Sequence, residues 1–426
     1  LPQSSHFLAP LWRSPQVAAV VVLNTFVMCG VGLVSPILSV YAATFSASAT
    51  MAGMTITLFG IGRLMINLPA GLMSQRFGRR PLLIAGPFIL LVGSVIAALA
   101  NNLEVLVIAR FIQGIGSGIY MTVSSAAIAT LASPGERGRL MALYQGGVLI
   151  GTGIGPVIGG SLASHFGYAS PFWAYAAVST LALVIAWLSV NDKADTNKDN
   201  AAAAAKDDRS GSARSIMGDP LFLFVCVITF GVFFTRTASQ WLAIPLLAQQ
   251  RYGMGVDTIG LALTVMAALN FATLPLSGTL IDRYGARLVT FASTMVTGLG
   301  LVLIAVTNSQ TFMWIGIGLL GVGSGLNGPS TAACAAEIVP VRLYGPAMGM
   351  LRTCGDAGFV VGPIVIGFLN DTGAVGPAGG LIANAALMAV AGIAFAMSRG
   401  RVTHLEQPAE AGSNPLNRSE FNKDKL

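Results

Sequence analysis

Charge is scarce in this sequence. Aspartate, glutamate, lysine and arginine make up 10% of the 426 residues, against about 25% in a typical soluble domain. Histidine is rarer still: His6, His165 and His404 all stand outside the apolar runs. No H-E-x-x-H, G-x-S-x-G or Walker pattern occurs, which points away from a membrane-embedded enzyme and from ATP as an energy source. Cysteine is limited to Cys29, Cys226, Cys334 and Cys354. Each lies in an apolar segment without metal-ligand spacing, so small core residues are expected rather than a disulfide framework or a metal centre. Neither a metal nor a cofactor is expected.

Apolar residues are abundant instead, at 54%, and the mean hydropathy is +0.73. The balance makes a lipid bilayer the expected solvent. Fifty-one glycines suit that reading, because small residues let transmembrane helices approach closely. The formal net charge of +7 would fit a nucleic-acid partner. Its distribution argues against one, since the basic residues fall in short connections between apolar runs.

Twelve long apolar runs follow one another, at about 16–43, 48–72, 80–101, 104–130, 139–163, 169–190, 219–247, 256–279, 287–306, 311–336, 344–370 and 374–397. Each is long enough to cross a hydrocarbon core of about 30 Å as a helix. The first is too long for the apolar core of a signal peptide. Lysine and arginine crowd alternate connections: Arg76, Arg79 and Arg80; Arg137 and Arg139; Lys193 to Arg214; Arg283 and Arg287; and Arg342. Arg251 is the exception. The rule that basic loops stay inside predicts a multi-pass protein with both termini cytoplasmic, and the bacterial inner membrane is the expected location. Four regions result: a six-helix bundle over 1–190, a polar Ala-rich linker over 191–217, a second bundle over 218–398, and a polar tail over 399–426.

The two bundles are related. "GLMSQRFGRR" at Gly71 and "GTLIDRYGAR" at Gly278 lie 207 residues apart, and so do "GIGSG" at Gly114 and "GVGSG" at Gly321. Gly155-Pro156 and Gly362-Pro363 hold the same offset. One register shared by three landmarks implies a duplicated six-helix unit, as in transporters built from parallel repeats.

On these residues the chain resembles the major facilitator superfamily, closest in motifs to its twelve-helix drug/proton antiporters. The family's connection between helices 2 and 3 reads G-x-x-x-D-R-x-G-R-R; here Gly71, Arg76, Gly78, Arg79 and Arg80 match, while Gln75 replaces the acid. The second copy keeps it as Asp282, followed by Arg283. Span 4 carries the family's arginine motif through Arg110, Gln113, Gly114 and Gly118, and span 5 carries the G-x-x-x-G-P-x-x-G-G pattern at Gly151, Gly155, Pro156, Gly159 and Gly160. The resemblance implies an all-α fold of twelve transmembrane helices in two pseudo-symmetric six-helix bundles, and secondary transport by alternating access. For Gly71, Arg76, Gly78, Arg79, Arg110, Gly151, Gly155, Pro156, Gly278, Asp282 and Arg283 it implies roles in gating or conformational change. Physically, the loop arginines can latch one conformation or simply set topology, and the span 5 glycines can form a hinge or only a close helix contact.

Ionisable residues inside spans sharpen the expectation, because they usually face a cavity or a partner. Arg63 lies about 20 Å into span 2 at 1.5 Å per residue, close to the midplane. Arg236 lies similarly deep in span 7 with Gln240 and Trp241 beside it. Arg352 and Asp356 stand at i and i+4 in span 11 and can pair with each other. Such a pair either cycles a proton through Asp356 or fixes the helix permanently. Positive charge outweighs negative, and arginine suits carboxylates and phosphates. Substrate contacts are expected from Arg63, Arg236, Gln240, Trp241 and Asn24, and proton coupling from Asp356 with Arg352; Arg110 is the arginine best suited to a structural role.

The expected activity is proton-coupled export of an anionic or amphipathic organic molecule by a monomer. A multidrug exporter of neutral or cationic hydrophobic compounds is the alternative, with a uniporter or non-transporting sensor of the same fold behind it.

Overall fold

The computed structural model describes residues 15–131, 137–189, 219–339, 344–372 and 376–398. The expected linker and tail lie outside them, as do Arg342 and the side chains of Gln75, Arg137 and Arg139. Every described regular element is helical, and each expected span holds a helix. They are α1 (Pro15–Val34, prolonged by Leu38–Thr44), α2 (Ala49–Phe77), α3 (Arg80–Ala98), α4 (Leu103–Leu131), α5 (Arg137–Phe166) and α6 (Ser170–Ser189). The second half holds α7 (Pro220–Phe234, continuing to Tyr252), α8 (Val256–Tyr284), α9 (Ala286–Val306), α10 (Gln310–Ile338), α11 (Tyr344–Asp371) and α12 (Gly376–Met397).

Local chemistry fixes the ends. Ser48 accepts a hydrogen bond from the Met51 amide at the start of α2, and Asp219 accepts from Leu221 at the start of α7, with Pro220 in the first turn. Both satisfy amides that the helix itself leaves open. Gly78 and Gly285, 207 residues apart, turn the chain at φ 84° and 82°, a backbone region that side chains avoid. Arg251, the exception in the charge count, donates to the carbonyls of Ala305 and Thr307 at the end of α9. Eleven of the helices are long and apolar enough to cross a membrane. α10 is diluted by Ser324, Asn327, Ser330 and Thr331; there the Asn327 carbonyl accepts from Ser293 and Thr294 of α9, and its amide donates to Thr297.

Helix pairing repeats between the halves. α1 packs on α5 and α6, α4 on α2 and α3, and α3 on α6. In the same register α7 packs on α11 and α12, α10 on α8 and α9, and α9 on α12. Without a hydrophobic force between helices in lipid, close packing must hold them. The span 5 glycines supply it: a Cβ on Gly155 would lie 2.6 Å from the Gly32 backbone, and one on Gly159 would run into the Leu33 carbonyl.

Two further contacts join the halves, α2 with α11 and α5 with α8. They are tight at the end where α2 and α8 begin. Gly53 faces the Pro363 carbonyl, Gly367 faces Ala49 and Thr50, and Gly160 faces Val256 and Gly260. Asp371, at the end of α11, accepts from the Ala49 and Thr50 amides of α2 at 2.8 and 2.9 Å. The opposite end is open: a cavity of about 310 Å³ lies between α2, α4 and α11.

Candidate functional site

Between the closed end and the cavity, α2, α7 and α11 bring together five of the expected site residues: Arg63, Arg236, Gln240, Trp241 and Asp356. Arg63 donates from Nη2 to Oδ1 of Asp356 at 2.7 Å, across the two halves. The i, i+4 pair expected between Arg352 and Asp356 is therefore replaced by one between α2 and α11. Gly60 lets the helices close to this distance, since a Cβ there would reach Phe359 and Val360. Thr57 adds a hydrogen bond to the Val360 carbonyl at 2.8 Å. Arg352, one turn nearer the open end, is exposed and lines the cavity beside Asp356.

An aromatic layer continues inward from the ion pair. The Arg63 guanidinium lies 4.9 Å from the Phe359 ring centre. Phe359 meets Trp241 edge-on at 5.7 Å, and the Arg236 guanidinium stands 5.8 Å from Trp241. Gln240 donates to the Ser324 hydroxyl of α10 at 3.3 Å.

Why these side chains converge is legible in α7. Its middle, Thr235–Ala243, winds as a π-helix, a form that appears mostly as short bulges, frequently at functional sites. The extra residue per turn places Arg236, Gln240 and Trp241 together. Hydroxyls flanking them anchor the segment: Asn384 of α12 donates to Ser239 at 2.7 Å and to Thr235 at 3.0 Å, and Thr237 donates to the Phe359 carbonyl.

The electrostatics are one-sided. Asp356 is the acid deep within a span among the described residues; Glu104, Asp219, Asp257, Asp282, Glu337 and Asp371 sit near helix ends. Arg63 and Asp356 neutralise each other. Arg236 has no hydrogen-bond or ion-pair partner among the described residues, and its one ring contact is Trp241. A cation held away from bulk water without a counter-charge is costly.

Two expected residues take other places. Asn24 is fully buried in the α1–α5 contact, where it donates to the Tyr144 carbonyl at 3.0 Å, so it does not line the cavity. Arg110 is 1% exposed, donates to Gln113 at 2.6 Å and to the Thr55 carbonyl, and lies 4.4 Å from the Phe59 ring centre. Gln113 passes the chain on to Ser94. Arg110 is a core arginine in this arrangement, bonded through Nε and Nη1. Of the other positions expected to gate, a Cβ on Gly71 would lie 4.0 Å from Thr122, Gly278 faces open space, and Arg76 and Arg283 lie over the rings of Phe77 and Tyr284.

Reading the sequence missed Phe59, Phe359 and Asp371. The aromatics look like any lipid-facing residue in an apolar run, and Asp371 reads as a loop acid until its partner helix is known. The alternating hydroxyls of "TRTASQ" were the available signal for an irregular helix.

Known proteins place the chain. The family model described as Major Facilitator Superfamily matches residues 20–242 and 225–421. An uncharacterized MFS-type transporter of Methanocaldococcus jannaschii is 24% identical over 354 residues, covering 83% of this chain and 90% of that protein. Multidrug resistance protein 1 of Bacillus subtilis is 25% identical over 360 residues, covering 83% and 89%. Among solved structures, a D-xylose–proton symporter superposes with a TM-score of 0.73 at 16% identity, covering 89% of this chain and 96% of the symporter, a likeness of fold. With its helices paired in two repeats around a charged central site, this chain belongs to the Major Facilitator Superfamily: it is a multi-pass membrane transporter of a small molecule, not an enzyme.

Proposed function

We propose that the protein exports an organic anion, or an amphipathic molecule with an anionic group, in exchange for protons. The observation that carries this reading is Arg236, set in a π-helical turn against Trp241 with no counter-charge among the described residues. A carboxylate or phosphate would supply the missing charge, and Arg63, on the same aromatic layer through Phe359, would share it. Gln240 and the Trp241 and Phe359 rings would orient the organic part.

Asp356 is the proton carrier in this scheme. Protonation removes its charge and frees Arg63; deprotonation restores the pair that ties α2 to α11. Coupling follows because both partners belong to different halves, so the pair changes with the rocking of one half against the other. Export is favoured by the span 5 motif and by the likeness to a multidrug resistance protein. The lysine and arginine pattern supports a cytoplasmic side for the open end, the linker and both termini, and a bacterial inner membrane is the location this reading carries. The monomer contains the whole site.

The aromatic layer of Phe59, Phe359 and Trp241 favours a second reading, export of neutral or cationic hydrophobic compounds. Thermal stability of the purified protein against anionic, neutral and cationic solutes separates the two, because a ligand of the folded state raises the melting temperature. Stabilisation by organic anions that is lost in Arg236→Gln supports anion transport. Stabilisation by lipophilic cations alone, equal in wild type and Arg236→Gln, overturns it. Flux in proteoliposomes with and without a pH gradient then tests the proton; equal flux would make the protein a uniporter.

A further inference from the structure

The cavity on the open side of the ion pair has a chemistry distinct from the surroundings of Arg236. Leu64, Asn67, Thr122, Ser125, Arg352 and Thr353 line it, and Asp356 forms part of its inner end. Its volume of about 310 Å³ falls at the small end of the range for ligand pockets, about 300 to 1,000 Å³. Asp356 contributes little net negative potential there, because Arg63 holds its carboxylate from the other side. Arg352 therefore sets the sign of the field in the cavity.

The hydrogen-bonding groups are sorted by kind. Thr122 donates to the Asn67 carbonyl oxygen at 3.2 Å, which turns the Asn67 amide N–H groups outward as donors. Ser125 donates to the Thr122 carbonyl and Thr353 to the Gly349 carbonyl. Their hydroxyl oxygens are left as acceptors. The cavity thus offers a guanidinium and an amide for an anionic head, two acceptors for a hydroxyl or amine, and leucine for an apolar part. Arg236 lies past Asp356 and Phe359, deeper than this cavity.

We propose that Arg352 and Asn67 form a vestibular station that captures an organic anion bearing a hydrogen-bond donor, such as a hydroxycarboxylate, before it reaches Arg236. Delivery from Arg352 to Arg236 rests on the anion reading above; capture at Arg352 does not, and is tested without it.

The test uses the full chain in proteoliposomes, with Cys29, Cys226, Cys334 and Cys354 replaced by serine or alanine and Leu68→Cys, at the exposed rim of the cavity, as reporter. Two reagents of opposite charge compete on equal chemistry: sulfonatoethyl methanethiosulfonate and its trimethylammonium-ethyl analogue. Arg352→Gln should lower the anionic-to-cationic rate ratio on the order of tenfold, since one charge close by acts on both reagents in opposite senses. Arg352→Lys should restore most of it, which a merely structural role would not. Mandelate should slow labelling of the reporter by neutral N-ethylmaleimide, mandelamide should not, and Arg352→Gln should abolish the protection. Arg236→Gln should leave protection in place. An unchanged rate ratio in Arg352→Gln overturns the station, as does equal protection by mandelamide or none by mandelate. If protection persists but Arg236→Gln has no effect on anion stabilisation of the protein, the station stands and the central anion site fails.

Discussion

Asp356 of α11 accepts a hydrogen bond from Arg63 of α2 at 2.7 Å, and this contact joins the two halves where the cavity stops. Arg352 is closer in sequence, and helix spacing alone would pair it with Asp356. Arg63 prevails because Gly53 and Gly60 bring α2 against α11, and because the Phe359 ring supports its guanidinium. Arg352 faces the wetter cavity, where a charge needs no partner. The charges of the transporter are therefore sorted by depth.

Breaking the pair from one side should cost more than removing it. Arg63→Gln leaves a carboxylate without its cation, and Asp356→Asn leaves the reverse. Each should destabilise the protein, by about 1 to 3 kcal/mol, less than the 3 to 5 typical of a dry pair because the cavity hydrates the site. The double variant should recover much of that loss. Melting curves of the four proteins form the cycle. Additive losses would mean that the two side chains are not coupled.

Asp371 should hold the closed end shut. It binds two amides of the α2 N-terminus from the far half, and a carboxylate there also meets the positive end of the helix dipole. The site is exposed, so its worth is modest, about 1 kcal/mol, which is roughly a fivefold shift between conformations. Asp371→Asn should raise the population open at that end by about this factor. Spin-label distances between the starts of α2 and α8 and the ends of α5 and α11 would report it. An unchanged distribution would show that helix packing alone closes the gate.

Two glycine substitutions should fail in different ways. Gly159 lies against Leu33 inside the first half, so Gly159→Val should impair folding and lower the yield of protein in the membrane. Gly53 lies against the Pro363 carbonyl of the other half. Gly53→Val should fold, because the contact exists in one conformation of the cycle, yet it should hold the halves apart there and abolish transport. Normal turnover in Gly53→Val would mean that this contact is not needed for closure.

The fold was legible because its signals are long and repeated: apolar runs of membrane length, basic connections on alternate sides, and one register at Gly71, Gly114 and Gly155. The site was legible as residue types. A membrane-buried Arg63, Arg236 or Asp356 is rare enough to stand out singly. Pairing was less accessible, because Arg63 and Asp356 are separated by 293 positions, and the choice between Arg352 and Arg63 depends on how closely two helices approach. Asn24 misled for a related reason: a polar residue in a span has one side on the cavity and another on a neighbouring helix, and its sequence does not say which. Arg110 was the arginine best suited to a structural role on sequence grounds, and its bonds to Gln113 and Thr55 show what that role is.

Arg236 and Arg110 provide the last contrast. Both are arginines deep within a span, yet Arg110 is 1% exposed and donates to Gln113 and the Thr55 carbonyl, whereas Arg236 is half-buried and bonded to no described residue. Arg110→Gln should lower stability by about 2 kcal/mol by leaving Gln113 and the Thr55 carbonyl without a donor, and should leave the order of preferred ligands unchanged. Arg236→Gln removes a charge that lacks a described counter-charge, so the ligand-free protein should be no less stable and should melt slightly higher. Its loss should instead appear in the ligand-bound protein, as a smaller rise in melting temperature with organic anions. Arg236→Lys should keep part of that rise, because an ammonium retains the charge but not the two-pronged geometry. A variant that melts well below wild type without ligand would identify Arg236 as a structural residue and remove the main support for an anionic substrate.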